Sequence, residues 1–449
     1  MHQRPAIAAA LCGMLLALAP PVTAATPPAI ETFTLRNGME VIVIPNHRVP
    51  AVNHMVWYRI GAADDPPGKS GLAHFHEHLM YQGTAKFKAG EYAEIIARHG
   101  GQQNAFTGYD ATSYYINIAK DALPLAMELE ADRMRDLTAS DANVAREKEV
   151  IIEERRSRIE NNPDALLDEQ MNAALFRQHP YHRPVIGWIQ EMKGLAKDDV
   201  VRFHRAYYHP NNAILIVSGD VTEASVKPLA EKYYGVLPKV EGPPRRWDNE
   251  PPHIAERRIV LHHANVRQPN WNRAYAASSL AYGEKSDALP LFVLSHILGE
   301  GKSSRFYQSL VIEQKLASSI DTSYGGFNLG PAKFEINITP EQSVDLARLE
   351  TAVDQEIDRL NKEGLSDEEM ARAKTSLKAE SVYARDGLTS MARIMGWVRI
   401  ANLDARYFSQ WPDLIEAVTK DQVVAAARRT LLVKQSVTGI LLPEEKAAP

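Results

Sequence analysis

Positions 70–84 read SGLAHFHEHLMYQGT, which sets His74, His76, Glu77 and His78 within five positions, between the apolar pairs Leu72–Ala73 and Leu79–Met80. On a helix each residue turns by about 100°, so His78 falls near 40° from His74, Glu77 near −60°, and His76 near 200°, on the far side. His74 and His78 can therefore grip one ion from a single helical turn, and two imidazoles so spaced suit zinc. Glu77 lies beside that pair, better placed to hold a water than to ligate. The order H-x-x-E-H inverts the H-E-x-x-H pattern of metal-dependent peptidases. His76 reads as a packing or supporting residue.

A catalytic zinc usually takes three protein ligands and keeps a position open. The third is sought in REKEVIIEERRSR, residues 146–158. Glu147 and Glu154 are seven apart, on one helix face, with Val150 and Ile151 between them; Glu149 and Glu153 point elsewhere. A carboxylate within an apolar stripe is costly to bury unless paired or metal-bound. Either Glu147 or Glu154 fits. A salt-bridged surface helix is the alternative, since Arg155, Arg156 and Arg158 are close by.

The elements that must position these groups follow from periodicity and breakers. Residues 32–44 alternate around Asn37-Gly38 and predict a hairpin. A strand is expected at 52–60, helices at 70–82 and 92–98, a strand at 112–119, and long helices at 123–137 and 141–160. Further helices at 165–176 and 197–208 precede an apolar strand at 213–218. PKVEGPPRRWDNEPP, residues 238–252, is proline-rich and poor in apolar side chains, the composition of a linker. Beyond it the order restarts: strands at 258–262 and 272–277, a helix at 286–298, strands at 317–324 and 332–338, helices at 344–363, 366–384 and 420–430, and a strand at 436–441. Ser366 and Glu369 form a capping box. The expectation is a duplicated α+β unit: a lobe over 26–237, the linker 238–252, and a second lobe over 253–449.

Bulk composition is that of an ordinary globular protein, with 449 residues, 45% hydrophobic and 24% charged. The net charge of −5 and the lack of a basic block argue against nucleic acid as a partner. Residues 1–25 read as a signal peptide: a polar start, an apolar run over 6–19, Pro20-Pro21, and small residues for cleavage near Ala24 and Ala25. The run is short for a membrane span. The single cysteine, Cys12, lies within it, so the mature chain has no thiol for a disulfide. The expectation is an exported, periplasmic protein with no stable membrane insertion.

HFHEH at 74–78 followed by Glu154, 76 positions after His78, resembles the inverted zincins of the pitrilysin and mitochondrial processing peptidase group. So do GGQQNAFTGYDATSYY at 100–115, HPYHRPVIGW at 179–188 and YYHPNNAILIVSGD at 207–220, with a looser match around LGEGKSSRFYQSL at 298–310. The resemblance implies a zinc endopeptidase with His74, His78 and Glu154 as ligands of one Zn2+. Glu77 would be the general base, and Glu147 a catalytic helper in the surrounding water and hydrogen-bond network. It implies two similar lobes, each a mainly antiparallel sheet backed by helices, forming half of a clam shell that closes around a chamber. It also makes Gln103, Asn104, Ala105, Phe106 and Thr107 an exposed edge strand that pairs with peptide substrate through the main chain.

One departure stands out. Many relatives carry an arginine and a tyrosine in the second half that support the transition state, and the matching positions here are Val311 and Ser318. His296 stands alone there and reads as packing. The departure suggests a related zinc-less chain that supplies the missing groups in a heterodimer; self-dimerisation is the other pairing. A non-catalytic scaffold subunit and a zinc-binding protein without catalysis are the competing readings. The complete set His74, Glu77, His78 and Glu154 argues against the first, and Glu77 against the second.

Overall fold

The computed structural model describes residues 30–385 and 387–444; the expected signal peptide lies outside them. In chain order the first half comprises β1 (Glu31–Thr34), β2 (Glu40–Pro45), β3 (Ala51–Tyr58), α1 (Leu72–Leu79), α2 (Glu91–Arg98), β4 (Gln102–Thr107) and β5 (Thr112–Ala119). Then come α3 (Leu123–Arg135), α4 (Asp141–Arg155), α5 (Pro163–Leu175), α6 (Ile189–Lys193), α7 (Lys197–Tyr207), β6 (Ala213–Gly219) and α8 (Glu223–Tyr233). The second half comprises β7 (Arg257–His263), β8 (Asn270–Ala277), α9 (Ala288–Gly299), β9 (Ala317–Tyr324), β10 (Ala332–Pro340) and α10 (Leu346–Glu363). It ends with α11 (Asp367–Tyr383), α12 (Leu388–Ile400), α13 (Tyr407–Glu416), α14 (Lys420–Thr430) and β11 (Ser436–Pro443).

The α+β class and the duplication hold. The first sheet has the order β1-β2-β6-β3-β5-β4, and the second β7-β11-β8-β10-β9. Each contains one parallel pair, β2 with β6 and β7 with β11, and is otherwise antiparallel. From β2 onward the two orders match strand for strand, with β4 and β9 as corresponding free edges. The expected hairpin at 32–44 forms β1 and β2, with Glu31 opposite Val43.

Each sheet packs on both faces. The inner face of the first sheet meets α1, α3, α7 and α8 through residues such as Val56, Phe75, Met127, Phe203 and Val226. Its other face, with Ile42, Met55, Trp57 and Ile216, is covered by Met391, Ala392 and Met395 of α12, from the second half. The second sheet is covered reciprocally by Leu167, Met171 and Leu175 of α5, from the first half. Both crossings use a glycine to bring backbone close. A Cβ on Gly396 of α12 would lie 1.9 Å from the Trp57 ring, and one on Gly439 of β11 would lie 2.2 Å from Met171 Sδ.

The expected helix over 141–160 is α-helical only to Arg155 and continues as a π-helical turn, Arg156–Glu160. The segment 238–252 carries no helix or strand, yet it is pinned to the first half: Arg245 donates to both Asp64 oxygens at 2.8 and 2.6 Å, and Trp247 Nε1 donates to Asp64 at 3.1 Å. Sequence periodicity missed α6, α8, α12 and α13, of which α8 and α13 carry an internal proline, Pro228 and Pro412.

Candidate metal centre

α1 begins at Gly71, whose φ of +86° suits a residue without a side chain; a Cβ there would lie 2.5 Å from Ile186 O. The first N–H groups of the helix are met from outside. Asp65 accepts from Gly71 N and Ala73 N, both at 2.8 Å. Arg183 fixes that turn by donating to Asp65 O and Ala63 O at 2.7 and 3.1 Å. Ser70 N donates to Glu191, and Ser70 Oγ accepts from Trp188 N at 2.9 Å. Thus the 179–188 stretch clamps the start of the histidine-bearing helix.

The expected partition of the helix is observed. Leu72, Ala73, Phe75 and Leu79 are buried in the core. His76 points away from His74 and His78, and its Nε2 lies 3.1 Å from His204 Nδ1 on α7. Its ring also packs on Phe203 and Tyr208. Burial, with His204 next in effect, pushes its pKa well below the usual imidazole range.

His74 and His78 present their rings edge to face, centroids 4.9 Å apart. The last turn of α4 brings Glu154 to them: its Oε2 lies 3.6 Å from His74 Nε2 and 3.2 Å from His78 Nε2. One ligand atom from each of the three residues falls within 4.8 Å of the others, the group of that kind found among the described residues. Glu154 Oε2 is shielded from solvent without a properly oriented hydrogen-bond donor. Its other oxygen is held by Arg158 at 2.8 Å. This carboxylate is therefore aimed with one oxygen spare. The donor set, two imidazoles and a carboxylate around one point, fits a metal ion of the zinc type.

The electrostatics at His74 and Glu154 suit that use. Burial and the adjacent His78 push the His74 pKa down to about 4, which keeps the ring neutral. The neighbouring His78 ring, opposed by partial burial, holds Glu154 below its ordinary value. Burial works against a charged His78, but Glu154, Glu77 and Glu147 around it raise its pKa. Glu147, buried one helical turn pair earlier on α4, sets Oε2 3.5 Å from His78 Nδ1. A carboxylate there favours the tautomer with the proton on Nδ1, which leaves the Nε2 lone pair free for the point shared with His74 and Glu154.

Glu77, His74, His78, Glu147 and Glu154 all line one cavity of about 880 Å³. Burial raises the Glu77 pKa, and Thr107 Oγ1 donates to its Oε2 at 2.5 Å. Asn104, Ala105, Phe106 and Thr107 of the edge strand β4 border the same cavity; Gln103 does not. Asn104 Oδ1 accepts from the adjacent Ala105 N at 2.8 Å. Phe106 turns its ring to the opposite face of the sheet, onto Trp57 and Trp397.

Two family models match the chain: "Insulinase (Peptidase family M16)" over residues 40–188 and "Peptidase M16 inactive domain" over residues 194–377. The chain belongs to the M16, or pitrilysin, family of peptidases. The zinc protease PqqE of Helicobacter pylori is 34% identical over 294 residues, 65% of this chain and 66% of that one. An uncharacterized zinc protease of Mycobacterium tuberculosis is 28% identical over 419 residues, 89% of this chain and 90% of that one. Among solved structures, a protease from Helicobacter pylori matches with a TM-score of 0.86 and 28% identity, over 93% of this chain and 100% of that one. The periplasmic protease PqqL from Escherichia coli matches with a TM-score of 0.79 and 18% identity, over 93% of this chain and 48% of that one, a likeness of fold.

The metal-type cluster lies in the half matched by the peptidase model, and among the described residues no such cluster lies in the half matched by the inactive-domain model. In that second half His296 lies on α9, 3.7 Å from Glu380 on α11, with no third donor grouped with them. Val311 packs against the second core, and Ser318 Oγ donates to Thr339 O at 3.2 Å. Neither reaches the cluster.

Two positioning residues gave no motif. Arg155 is buried beside Glu154 and donates to both oxygens of Glu169 on α5, at 2.7 and 3.0 Å, and to Gly187 O at 2.9 Å. Gly187 in turn abuts Gly71, so one guanidinium ties the end of α4 to the start of α1. The other is Arg158, the cation at the cavity wall, four residues after Glu154 and so on the same helix face.

Proposed function

We propose that this chain is a zinc-dependent endopeptidase that hydrolyses peptides or unfolded polypeptides, with His74, His78 and Glu154 as the metal ligands and Glu77 as general base. The carrying observation is the convergence of three ligand atoms within 4.8 Å on a cavity that Glu77 also lines. The relatives' names, zinc protease among them, support the choice of metal. Bound there, zinc supplies Lewis acidity and a water that ionises near neutral pH. Glu77 takes a proton from the attacking water and returns it to the nitrogen of the departing amine. Glu147 holds the His78 ring in register, and Arg158 keeps one Glu154 oxygen occupied so that the other faces the histidines.

Substrate is read as an extended chain added to the free edge of β4, where Asn104 Oδ1 now engages the Ala105 N–H. Such pairing reads backbone and favours unfolded segments. The chamber would be completed by a related chain that lacks the metal set and supplies the arginine and tyrosine absent at Val311 and Ser318. The fold likeness to one half of PqqL supports pairing of two such units. Export to the periplasm is part of the proposal; no helix among the described residues is long and apolar enough to cross a membrane.

The deciding experiment measures zinc content and cleavage of a peptide mixture for the wild type, Glu77→Gln and His78→Ala. Glu77→Gln is expected to keep the metal and lose nearly all turnover, and His78→Ala to lose both. Substantial cleavage by Glu77→Gln would refute the mechanism.

A further inference from the structure

Thr107 closes the edge strand β4, and its side chain does not face a strand added at that edge. Its Oγ1 donates to Glu77 Oε2 at 2.5 Å. Along β4, Phe106 packs on the α12 side of the sheet, while Ala105 packs against the core on the α1 side. Thr107, two positions after Ala105, therefore shares the α1 side. A hydroxyl has one proton to give. Here it is spent on the carboxylate, in a contact of the short, charge-assisted kind.

Glu77 otherwise has little to fix it. It lines the cavity from the last turn of α1, and its other oxygen has no hydrogen-bond partner among the described residues. The terminal torsion of a glutamate is broad, so an unanchored carboxylate would sweep an arc. A base that acts on a water held at one point loses efficiency when displaced by an ångström.

Resting on the function proposed above, we infer that Thr107 is a positioning residue for Glu77 and not a substrate contact. Its hydroxyl fixes one oxygen of the base so that the other faces the cavity. The strand that receives the peptide backbone thereby also sets the base, and the two are held in one register by a single residue.

The test compares full-length wild type, Thr107→Val, Thr107→Ser and Glu77→Gln. Cleavage is followed with internally quenched peptides. Binding of fluorescein-labelled unfolded casein is followed on chelator-treated protein, and the visible absorption on the Co2+-loaded chain. Thr107→Val is expected to lower kcat by about 10²-fold, the order of a 1 Å misplacement. KM, casein affinity and metal stoichiometry should stay at wild-type values. Its Co2+ spectrum should move toward that of Glu77→Gln even if the isolated chain does not turn over. Thr107→Ser should restore both kcat and spectrum.

Weaker casein binding with kcat and spectrum intact would make Thr107 a substrate contact and overturn the inference. Equal impairment of Thr107→Ser and Thr107→Val would assign the effect to the methyl group and overturn it too. A fully active Glu77→Gln removes the underlying mechanism. An inactive Glu77→Gln beside a Thr107→Val of wild-type kcat and spectrum removes the Thr107 role alone.

Discussion

Replacing Glu169 by alanine is expected to loosen the metal centre from a distance, through Arg155. The side chains of the pair are only 6% and 5% exposed, and two parallel hydrogen bonds join them. Without Glu169, the Arg155 guanidinium keeps Gly187 O and a 3.6 Å contact to Glu160, and its charge stays buried. Breaking a buried pair in this way costs about 3–5 kcal/mol. The double variant Arg155→Met, Glu169→Met removes both charges and should recover most of that loss, because well-packed apolar replacements of buried pairs are often near neutral. The functional consequence follows from the neighbour: Glu154 precedes Arg155 at the end of α4, so its carboxylate loses its fixed aim. Zinc affinity should fall about 10–100-fold in Glu169→Ala, the size seen when supports of ligands are removed. Urea unfolding followed by circular dichroism, with chelator competition for zinc, measures both effects. The coupling through Arg155 is refuted if Glu169→Ala unfolds within about 0.5 kcal/mol of wild type, the range of ordinary surface changes. It fails equally if the double variant is as unstable as the two single losses added together.

Part of the acid sensitivity should come from the buried His76–His204 pair, 3.1 Å between nitrogens; burial also pushes down the pKa values of His54 and His179. Burial pushes the His204 pKa from 6.5 to about 4. Between those values the unfolded chain takes a proton that the folded chain refuses, so stability falls as pH drops through that window, by up to about 3 kcal/mol. His204→Gln should flatten urea midpoint against pH over 4–6.5, and an unchanged slope would remove this cause. The partner proposal predicts little peptidase activity from the isolated chain in gel filtration and a gain on adding a related chain that carries the arginine and tyrosine. Full activity from a monomer would end it.

The helix-borne part of the site was legible because α1 is regular: a 100° rotation per residue separates His76 from His74 and His78 whatever the surroundings. The same rule set Glu147 and Glu154 on one face, and both now stand beside the histidines. It failed for Val150, which is 43% exposed at the cavity wall and not part of a buried stripe. It could not choose between the two glutamates, because the choice depends on where α4 crosses α1, and α4 lies over sixty residues further on. Edge-strand membership of 103–107 also rested on resemblance, since local alternation does not say which strand is outermost. Gln103 turns out to lie off the cavity that its four successors border.

The missed helices differ in their reasons: α6 is a five-residue turn, and α8 and α13 carry a proline inside. α12 is apolar around much of its surface because it lies between the first sheet and α13, so no clean stripe marks it. Nor could local pattern reveal that α5 and α12 each cover the other half's sheet, or that the segment 238–252 is pinned through Asp64.

By itself the sequence determined which side chains could bind one ion, because two imidazoles four positions apart on a helix meet it through local geometry alone. It also determined the duplicated α+β order, which alternation and turn residues write locally. The resemblance had already implied Glu154, and only the tertiary structure decided how close its carboxylate comes to both imidazoles, how Arg155 and the Gly71–Gly187 contact join α4 to α1, and that Thr107 hydrogen-bonds Glu77. These depend on distances between segments far apart in the chain, fixed by close packing across two sheets and by buried polar groups that must find partners.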